Sequence, residues 1–392
     1  MTEALWIEVD LGCIRRNAAR MKALLAPGTL LLAVVKANAY GHGDVSCARA
    51  ALEGGADWLA VARVGEAAAL RAGGIEAPIL LLAEPPPADA ARALSLGLVP
   101  TLYTPQGLAA FAAAAEAAGR EAVVHVKVDT GMHRYGVAPE DLPRMLRAVG
   151  ASRVLRTGGV WSHFAVAEDV LNPFTRRQFD RFTRTLEGLG PGGNGLLRHM
   201  ANSAAIMTFP DAHLDMARTG IAIYGIHPAP HLAASVPLEP ALSLRARVGH
   251  VKRVRAGEAI SYGQRYRLER DGTVATIPCG YADGIRRALT NAGPVLIGGR
   301  RRSIAGAVTM DHFLVDLGDE EVAPGDEVVL IGRQGAEEIT AQEVADLLGT
   351  IPYEVVCGLS ALIPRIYVSS AAPPPEAVSD TVADPAVAPA SG

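Results

Sequence analysis

A lysine lies where a buried strand would end, in the stretch LLLAVVKANAYGHG of residues 30–43. Burial and neighbouring cations lower the pKa of an amine, so that its neutral, nucleophilic form becomes available. A nucleophilic lysine can form a Schiff base with a carbonyl compound. The alternative for Lys36 is a snorkelling side chain whose charged end reaches water, and position alone favours that alternative.

The residues after Lys36 favour a ligand site. Tyr40 lies four residues on, where its hydroxyl can reach a phosphate, and Gly41 and Gly43 let the backbone approach a ligand closely. Pyridoxal phosphate (PLP) combines a phosphate with an aldehyde that binds lysine as a Schiff base. The stretch therefore predicts a site for a phosphate-bearing carbonyl compound such as PLP.

Further polar residues lie at or just after the ends of other predicted strands, where the working residues of a (β/α)₈ barrel gather. Barrels commonly bind phosphate at the loops after their last two strands, and consecutive backbone N–H groups favour an anion there. The residues concerned are Lys127, Arg134, His163, Asn202, Ser203, Arg218, Gly220 and Ile221. They are far apart in sequence, yet a barrel would bring them to one rim.

Apolar, β-branched runs alternate with alanine-rich amphipathic stretches along residues 30–220, which predicts parallel strands joined by helices. The strand candidates are 30–36, 58–64, 78–83, 99–104, 122–130, 158–164, 196–202 and 215–220. The helix candidates include 44–54, 66–73, 106–118, 140–149 and 174–187. Eight strands favour an α/β fold with a closed (β/α)₈ TIM barrel. A doubly wound open sheet is the structural alternative.

After residue 232 the long helical spacers disappear and short strands dominate. Strands are predicted at 243–254, 273–280, 294–299 and 326–332. One helix is predicted over 340–349, where Thr340 and Glu343 have the spacing of a capping box. We therefore expect a barrel over 1–232, a mainly β domain over 233–371 and a disordered Ala/Pro-rich tail over 372–392.

The composition excludes several other classes of protein. The formal net charge of the 392 residues is −4, which argues against nucleic acid as a partner. No apolar run is long enough to span a membrane, and the N-terminus lacks the pattern of a signal peptide. The four cysteines are scattered and form no CxxC pair. A cytoplasmic protein with reduced cysteines and no metal site is expected.

Taken together, the stretches AVVKANAYGHG, HVKVDTGMHRYG, WSHFA, MARTGI, ISYGQRY, VTMDH and GYADG resemble the alanine racemase family of fold-type III PLP enzymes. The resemblance extends from WIEVDLGCIRRN to IPRIYV and implies a PLP-binding barrel followed by a β domain. It implies that Lys36 forms the Schiff base and that Arg218 faces the pyridine nitrogen. It assigns the phosphate to Tyr40, Ser203, Gly220, Ile221 and Tyr353, with Asn202 also at the cofactor.

The resemblance also implies a two-base racemisation of alanine that supplies D-alanine for peptidoglycan. Two bases are a physical demand, because one group cannot easily serve both faces of the α-carbon. Lys36 would serve the D-isomer and Tyr262 the L-isomer, with His163 between Arg218 and the tyrosine. The family pairs head to tail, so an obligate homodimer is expected, with Tyr262 entering the partner's barrel.

Four further residues take family roles beside the substrate. Arg134 would bind the substrate carboxylate, held by a carbamylated Lys127. Met310 and Asp311 match substrate-side residues, and Tyr281 matches a residue of the active-site entrance.

Four alternatives remain open. A PLP-dependent decarboxylase of similar barrel fold would carry an acid at the pyridine nitrogen, where this sequence has Arg218. A non-catalytic PLP-carrier barrel would lack the second domain. A broad-specificity racemase of small amino acids shares the same chemistry, and a metabolic barrel without PLP would show no Schiff-base absorbance.

Overall fold

A computed structural model describes residues 3–371 of the chain. The predicted tail over 372–392 lies outside the described residues. Within them the chain forms a parallel barrel and a mainly β unit packed against it. No helix among residues 3–371 has both the length and the apolar character needed to cross a bilayer.

Eight parallel strands form the barrel and confirm the predicted (β/α)₈ fold over the open sheet. They are Leu30–Val34, Trp58–Val61, Ile79–Leu81, Leu98–Val99 with Thr101–Leu102, Ala122–Lys127, Leu155–Trp161, Leu197–His199 and Met216–Thr219. The eighth strand pairs with the first, which closes the sheet on that side. The fourth is split at Pro100, which has no N–H to donate, and each half pairs with a different neighbour.

Helices follow the strands on the outside of the barrel. They are Leu11–Ala23, Asp44–Glu53, Val64–Ala72, Ala90–Ser95, Pro105–Ala117, Leu142–Gly150, Pro173–Glu187 and Ser203–Thr208. The sequence marks where two of these helices begin. Thr104 and Asn172 cap two helices through their side chains, and a proline occupies the first helical position after each. The predicted helices are all present, and three more join them.

The second unit consists of one large β-sheet and smaller sheets beside it, which confirms the expectation of a mainly β domain. Six strands of the large sheet lie in the order Arg300–Ser303, Pro294–Ile297, Glu327–Gln334, Leu242–Arg247, Leu5–Asp10 and Arg365–Val368. A seventh strand, Glu337–Ile339, pairs with Glu327–Gln334. A second sheet contains His250–Val254, Gly272–Ile277 and Phe313–Gly318. The ribbon Ala259–Ile260 with Tyr266–Arg267 stands apart, and the helices Ala341–Leu348 and Pro352–Cys357 complete the unit.

Two details differ from the sequence-based expectation. The run 243–254 is two strands in different sheets, because the chain turns at Val248 and Gly249. The strand Leu5–Asp10, which the sequence places with the barrel, lies in the second sheet between Leu242–Arg247 and Arg365–Val368. Both of its partners come from the far end of the chain, so local sequence carries no sign of this pairing.

Candidate active site

A cavity of about 550 Å³ lies at the carboxyl ends of the barrel strands, closed on one side by the helix Pro352–Cys357. Ten of the residues predicted from the sequence line it: Lys36, Tyr40, Arg134, His163, Asn202, Ser203, Arg218, Gly220, Ile221 and Tyr353. Tyr353 comes from the second unit, so the two units together enclose the cavity.

Lys36 stands at an abrupt change of backbone direction. The first strand ends at Val34, two residues earlier than predicted, and the chain then enters a left-handed turn over Ala37–Tyr40 with φ between 52° and 54°. Burial lowers the pKa of Lys36, and the positive charge of Arg134 lowers it further. Both effects increase the fraction of neutral, nucleophilic amine.

Hydroxyl and amide groups converge at one end of the cavity. The Ser203 hydroxyl accepts the N–H of Gly220 at 2.8 Å. A Cβ added to Gly220 would lie 2.7 Å from the Tyr40 hydroxyl oxygen, so only glycine leaves this space open. The Tyr40 ring packs between Tyr224 and Tyr353, with centroids 5.1 and 6.1 Å away.

Arg218 is buried in the strand Met216–Thr219 and also lines the cavity. Its guanidinium donates to the carbonyls of Ser162 and Met200 at 2.8 and 3.0 Å, and to Nδ1 of His199 at 3.0 Å. Burial lowers the pKa of Arg218 to about 9, which leaves it charged at neutral pH. The cavity is therefore lined by a buried cation that three hydrogen bonds hold in place.

His163 lies beside this cation, 2.9 Å from Arg218 Nη2 through its Nδ1. Because a guanidinium has no acceptor, Nδ1 of His163 must accept the bond, which leaves the imidazole proton on Nε2. Burial and then the charge of Arg218 lower the pKa of His163 well below its ordinary value. The ring is therefore neutral, with one N–H available to a further acceptor.

Lys127 is only 2% exposed, and other cationic side chains lie near it. Its ammonium is 4.4 Å from the centre of the Trp161 ring. Burial, followed by Arg134 and Arg218, lowers the pKa of Lys127 to about 7. A neutral amine is the form that can react with carbon dioxide, so this pKa makes the amine available near neutral pH.

The other four predicted residues of the second unit, unlike Tyr353, do not line the cavity of their own chain. Tyr262 is 76% exposed and Met310 54% exposed, and Tyr281 and Asp311 also face outward. Their loops are linked by hydrogen bonds from Ser261 to the Ala307 carbonyl and from Tyr281 N–H to the Thr309 carbonyl. We call this surface, Tyr262, Tyr281, Met310 and Asp311, the exposed aromatic face.

Family models match both units. The model described as alanine racemase, N-terminal domain, matches residues 9–228, and that described as alanine racemase, C-terminal domain, matches residues 241–367. The alanine racemase of Symbiobacterium thermophilum is 48% identical over 364 residues, which cover 92% of this chain and 96% of that protein. The chain belongs to the alanine racemase family. Its expected identity as a PLP-dependent isomerase is thereby confirmed.

Other alanine racemases agree in sequence and structure. That of Desulforamulus reducens is 44% identical, with 94% of this chain and all of that protein covered. The crystal structure of the alanine racemase from D-cycloserine-producing Streptomyces lavendulae matches with a TM-score of 0.89 at 40% identity, covering 95% and 98% of the two chains. The match to the C-terminal domain disfavours a PLP-carrier barrel, and family membership disfavours a decarboxylase or a barrel without PLP.

The cavity of this alanine racemase family member fits PLP by its own chemistry. The open space at Gly220, beside the Ser203 and Tyr40 hydroxyls, suits a phosphate. The buried Arg218 suits an unprotonated pyridine nitrogen, since a guanidinium only donates. Lys36 lines the same cavity.

Several residues of this site are absent from the sequence-based set. Trp161 packs against Arg218, with the guanidinium carbon 4.7 Å from the ring centre, and Tyr224 packs against Tyr40. His199 contacts Arg218 and also His125, whose Nδ1 lies 3.0 Å from His199 Nε2. The sequence could have identified His125 and His199, because both are histidines inside predicted barrel strands. A polar residue in such a strand faces either the barrel core or its rim.

Proposed function

We propose that this chain interconverts L-alanine and D-alanine with PLP held in the 550 Å³ cavity. The observation that carries the proposal is the convergence of a depressed-pKa lysine, a hydroxyl-lined pocket and a buried arginine in one cavity. We further propose that the enzyme acts in the cytoplasm and supplies D-alanine for peptidoglycan. The four free cysteines, Cys13, Cys47, Cys279 and Cys357, are compatible with a reducing compartment.

Different residues lining the cavity would hold different parts of the cofactor. Tyr40, Ser203 and Tyr353, with the backbone of Gly220 and Ile221, would hold the phosphate, and the neighbouring Asn202 would also contact the cofactor. When bound, PLP supplies an aldehyde for the substrate amine and a conjugated ring that weakens the bond to the α-proton.

Arg218 selects the type of reaction. An acidic side chain at the pyridine nitrogen would protonate it and let the ring take up the full charge left by the α-proton. Arg218 is itself a donor whose charge is held by the Ser162 and Met200 carbonyls, so it does not give the nitrogen a proton. The α-carbon would then keep more of the charge and regain a proton quickly, which would favour racemisation over transamination and decarboxylation.

Two bases act on opposite faces of the α-carbon in this proposal. Lys36 removes the α-proton of D-alanine, and Tyr262 of the partner subunit removes that of L-alanine. The exposed aromatic face supports a partner role, because Tyr262 does not line the cavity of its own chain. His163 accepts from Arg218, and its Nε2–H would donate to the oxygen of Tyr262 of the partner subunit, which favours the phenolate form that a base requires. A head-to-tail homodimer follows.

Arg134 would bind the substrate carboxylate, and Met310 and Asp311 of the partner subunit would complete the substrate side, with Tyr281 at the entrance. Arg134 lines the cavity and, among residues 3–371, forms no ion pair with a carboxylate. A carbamate on Lys127 would supply the missing anion. It would place a negative charge near the two cations Arg134 and Arg218.

We expect the carbamate to form as pH rises through the pKa of Lys127, about 7. The depressed pKa keeps the amine mostly protonated near pH 6 and mostly neutral near pH 8, and only the neutral amine attacks carbon dioxide. Labelled ¹³C-bicarbonate should give a carbamate NMR signal that grows over this range. The signal should be absent from Lys127→Ala. A wild-type spectrum without it near pH 8 would show that Lys127 stays an unmodified amine.

Gly220→Ala should weaken PLP binding about five- to 150-fold, since overpacking a tight site costs about 1–3 kcal/mol. The new methyl would meet the Tyr40 hydroxyl at 2.7 Å, and the Tyr40 ring cannot retreat because Tyr224 and Tyr353 flank it. The measurement is PLP titration of the apoprotein, followed by fluorescence. Gly150→Ala is the control, because a Cβ there meets nothing. Equal PLP affinity in both variants would place the phosphate elsewhere.

A racemisation assay on a panel of small amino acids tests the proposal as a whole. Alanine should be the best substrate, serine and larger side chains should react more slowly, and carbon dioxide should not be released. Comparable rates across the panel would indicate a broad-specificity racemase. Amine formation with loss of carbon dioxide would contradict racemisation.

A further inference from the structure

Glu66 joins the ends of two neighbouring barrel strands through its carboxylate. One oxygen accepts the N–H of Ala37 at 2.8 Å. The other accepts the N–H groups of Ala62 and Arg63 at 2.8 and 3.0 Å. Ala37 directly follows Lys36, and Ala62 directly follows the second barrel strand. The carboxylate therefore ties the backbone beside Lys36 to a rigid strand end.

The backbone beside Lys36 needs such support. Ala37, Asn38, Ala39 and Tyr40 all have φ between 52° and 54°, a left-handed turn without a glycine. Each of these residues is strained, because its Cβ crowds the following carbonyl in this conformation. Strain of this kind persists only where surrounding contacts fix it, and it concentrates at functional sites.

The turn is held from outside at both ends. Arg365 donates to the Gly41 carbonyl at the exit, at 3.1 and 3.2 Å. At the entrance, next to Lys36, the side-chain contact to the backbone is that of Glu66. Loss of this contact would free the first strained residue, and with it the direction in which the Lys36 side chain leaves the backbone.

Glu66 also carries charge into a cationic site. The pKa of Lys36 is lowered by burial and by Arg134, and the Glu66 carboxylate opposes both effects. Glu66 thus acts on the protonation of Lys36 as well as on its direction.

We propose that Glu66 is a positioning residue for Lys36, whose carboxylate fixes the turn that directs the lysine into the cavity and supplies negative charge beside it. This proposal rests on the proposed role of Lys36 as the amine that binds PLP. Glu66 itself does not line the cavity and does not touch the reacting atoms.

Glu66→Gln tests the proposal with little change in shape. A carboxamide has one acceptor oxygen, so either Ala37 or the pair Ala62 and Arg63 loses its acceptor, and the charge is lost as well. We expect kcat for alanine to fall about ten- to hundredfold, as for a misplaced reacting group, while KM changes little. The pH titration of the PLP absorbance in the holoenzyme should shift to lower pH.

Glu84→Gln is the matched control. The Glu84 carboxylate accepts the N–H groups of Tyr103 and Thr104 at 2.7 and 2.9 Å, and so joins the loop after the third barrel strand to the end of the fourth. It has the same kind of bridging role without a contact to the turn after Lys36. Loss of this bridge should leave the PLP titration at its wild-type position. An equal shift in both variants would overturn the proposal, because it would reflect a general loosening of the barrel.

A second variant separates direction from charge and guards against misfolding. Glycine adopts φ near 54° without the Cβ penalty, so Ala37→Gly should relax the turn. In the double variant A37G/E66Q we expect folding and part of kcat to recover while the titration stays shifted. A wild-type titration with wild-type kcat in Glu66→Gln, or in the double variant if the single one does not fold, would contradict the proposal. Should wild-type protein itself show no borohydride-sensitive PLP absorbance, the proposed function would fail instead.

Discussion

Lys36→Ala is expected to lower the racemisation rate at least about ten-thousandfold, since it removes both a covalent attachment point and a base. No other lysine lines the cavity among the described residues, so no neighbour can replace the amine. Chiral chromatography of alanine incubated with PLP-loaded protein provides the measurement. The PLP absorbance that borohydride abolishes in the wild type should also be missing from the variant.

The matched control is Lys252→Ala, which removes an exposed lysine from the strand His250–Val254 of the second unit. It should retain wild-type activity and absorbance. Substantial racemisation by Lys36→Ala, with circular dichroism like that of the wild type, would show that another group carries the chemistry.

Mixed dimers should reveal whether each active site is built from two chains. A dimer of one Lys36→Ala chain and one Tyr262→Phe chain is expected to have one intact site and about half of the wild-type activity, by the symmetry of the pairing. Both lesions fall on the other site, which is inactive. Co-expression with two affinity tags yields this mixed dimer, and the activity per dimer is the measurement.

The reverse combination is the decisive control. A wild-type chain paired with a chain carrying both K36A and Y262F has one lesion in each composite site, so it should be nearly inactive. If Lys36 and Tyr262 acted within one chain, the outcomes would be exchanged. The first mixed dimer would then be inactive and the second would retain about half of the wild-type activity.

The Tyr262→Phe homodimer adds a test of the two roles. Lys36 remains, so solvent deuterium should still enter D-alanine at the α-carbon, while exchange into L-alanine should be lost. Equal loss of exchange from both isomers would show that Tyr262 does not act on one face alone. Tyr262 is 76% exposed in one chain, so we expect Tyr262→Phe to have little effect on folding.

The strand-and-helix pattern of the barrel could be predicted from the sequence because its elements are defined locally. Apolar runs such as 78–83, and helix starts such as Thr104–Pro105, lie within a few residues of the features that mark them. The strand Leu5–Asp10 was missed as part of the second sheet, since its partners, Leu242–Arg247 and Arg365–Val368, are more than 200 residues away.

The sequence by itself determined which residue types carry the chemistry: an amine at 36, hydroxyls at 40 and 203, and a guanidinium at 218. Motifs suffice for this because a family keeps its reactive groups in recognisable local stretches. Only the tertiary structure decided how these groups affect one another. The neutral His163, the depressed pKa of Lys127 and the Glu66 bridge depend on burial and on distances of a few ångströms between distant segments. Desolvation and Coulomb interactions exist only once the folded chain has excluded water and brought the charges together.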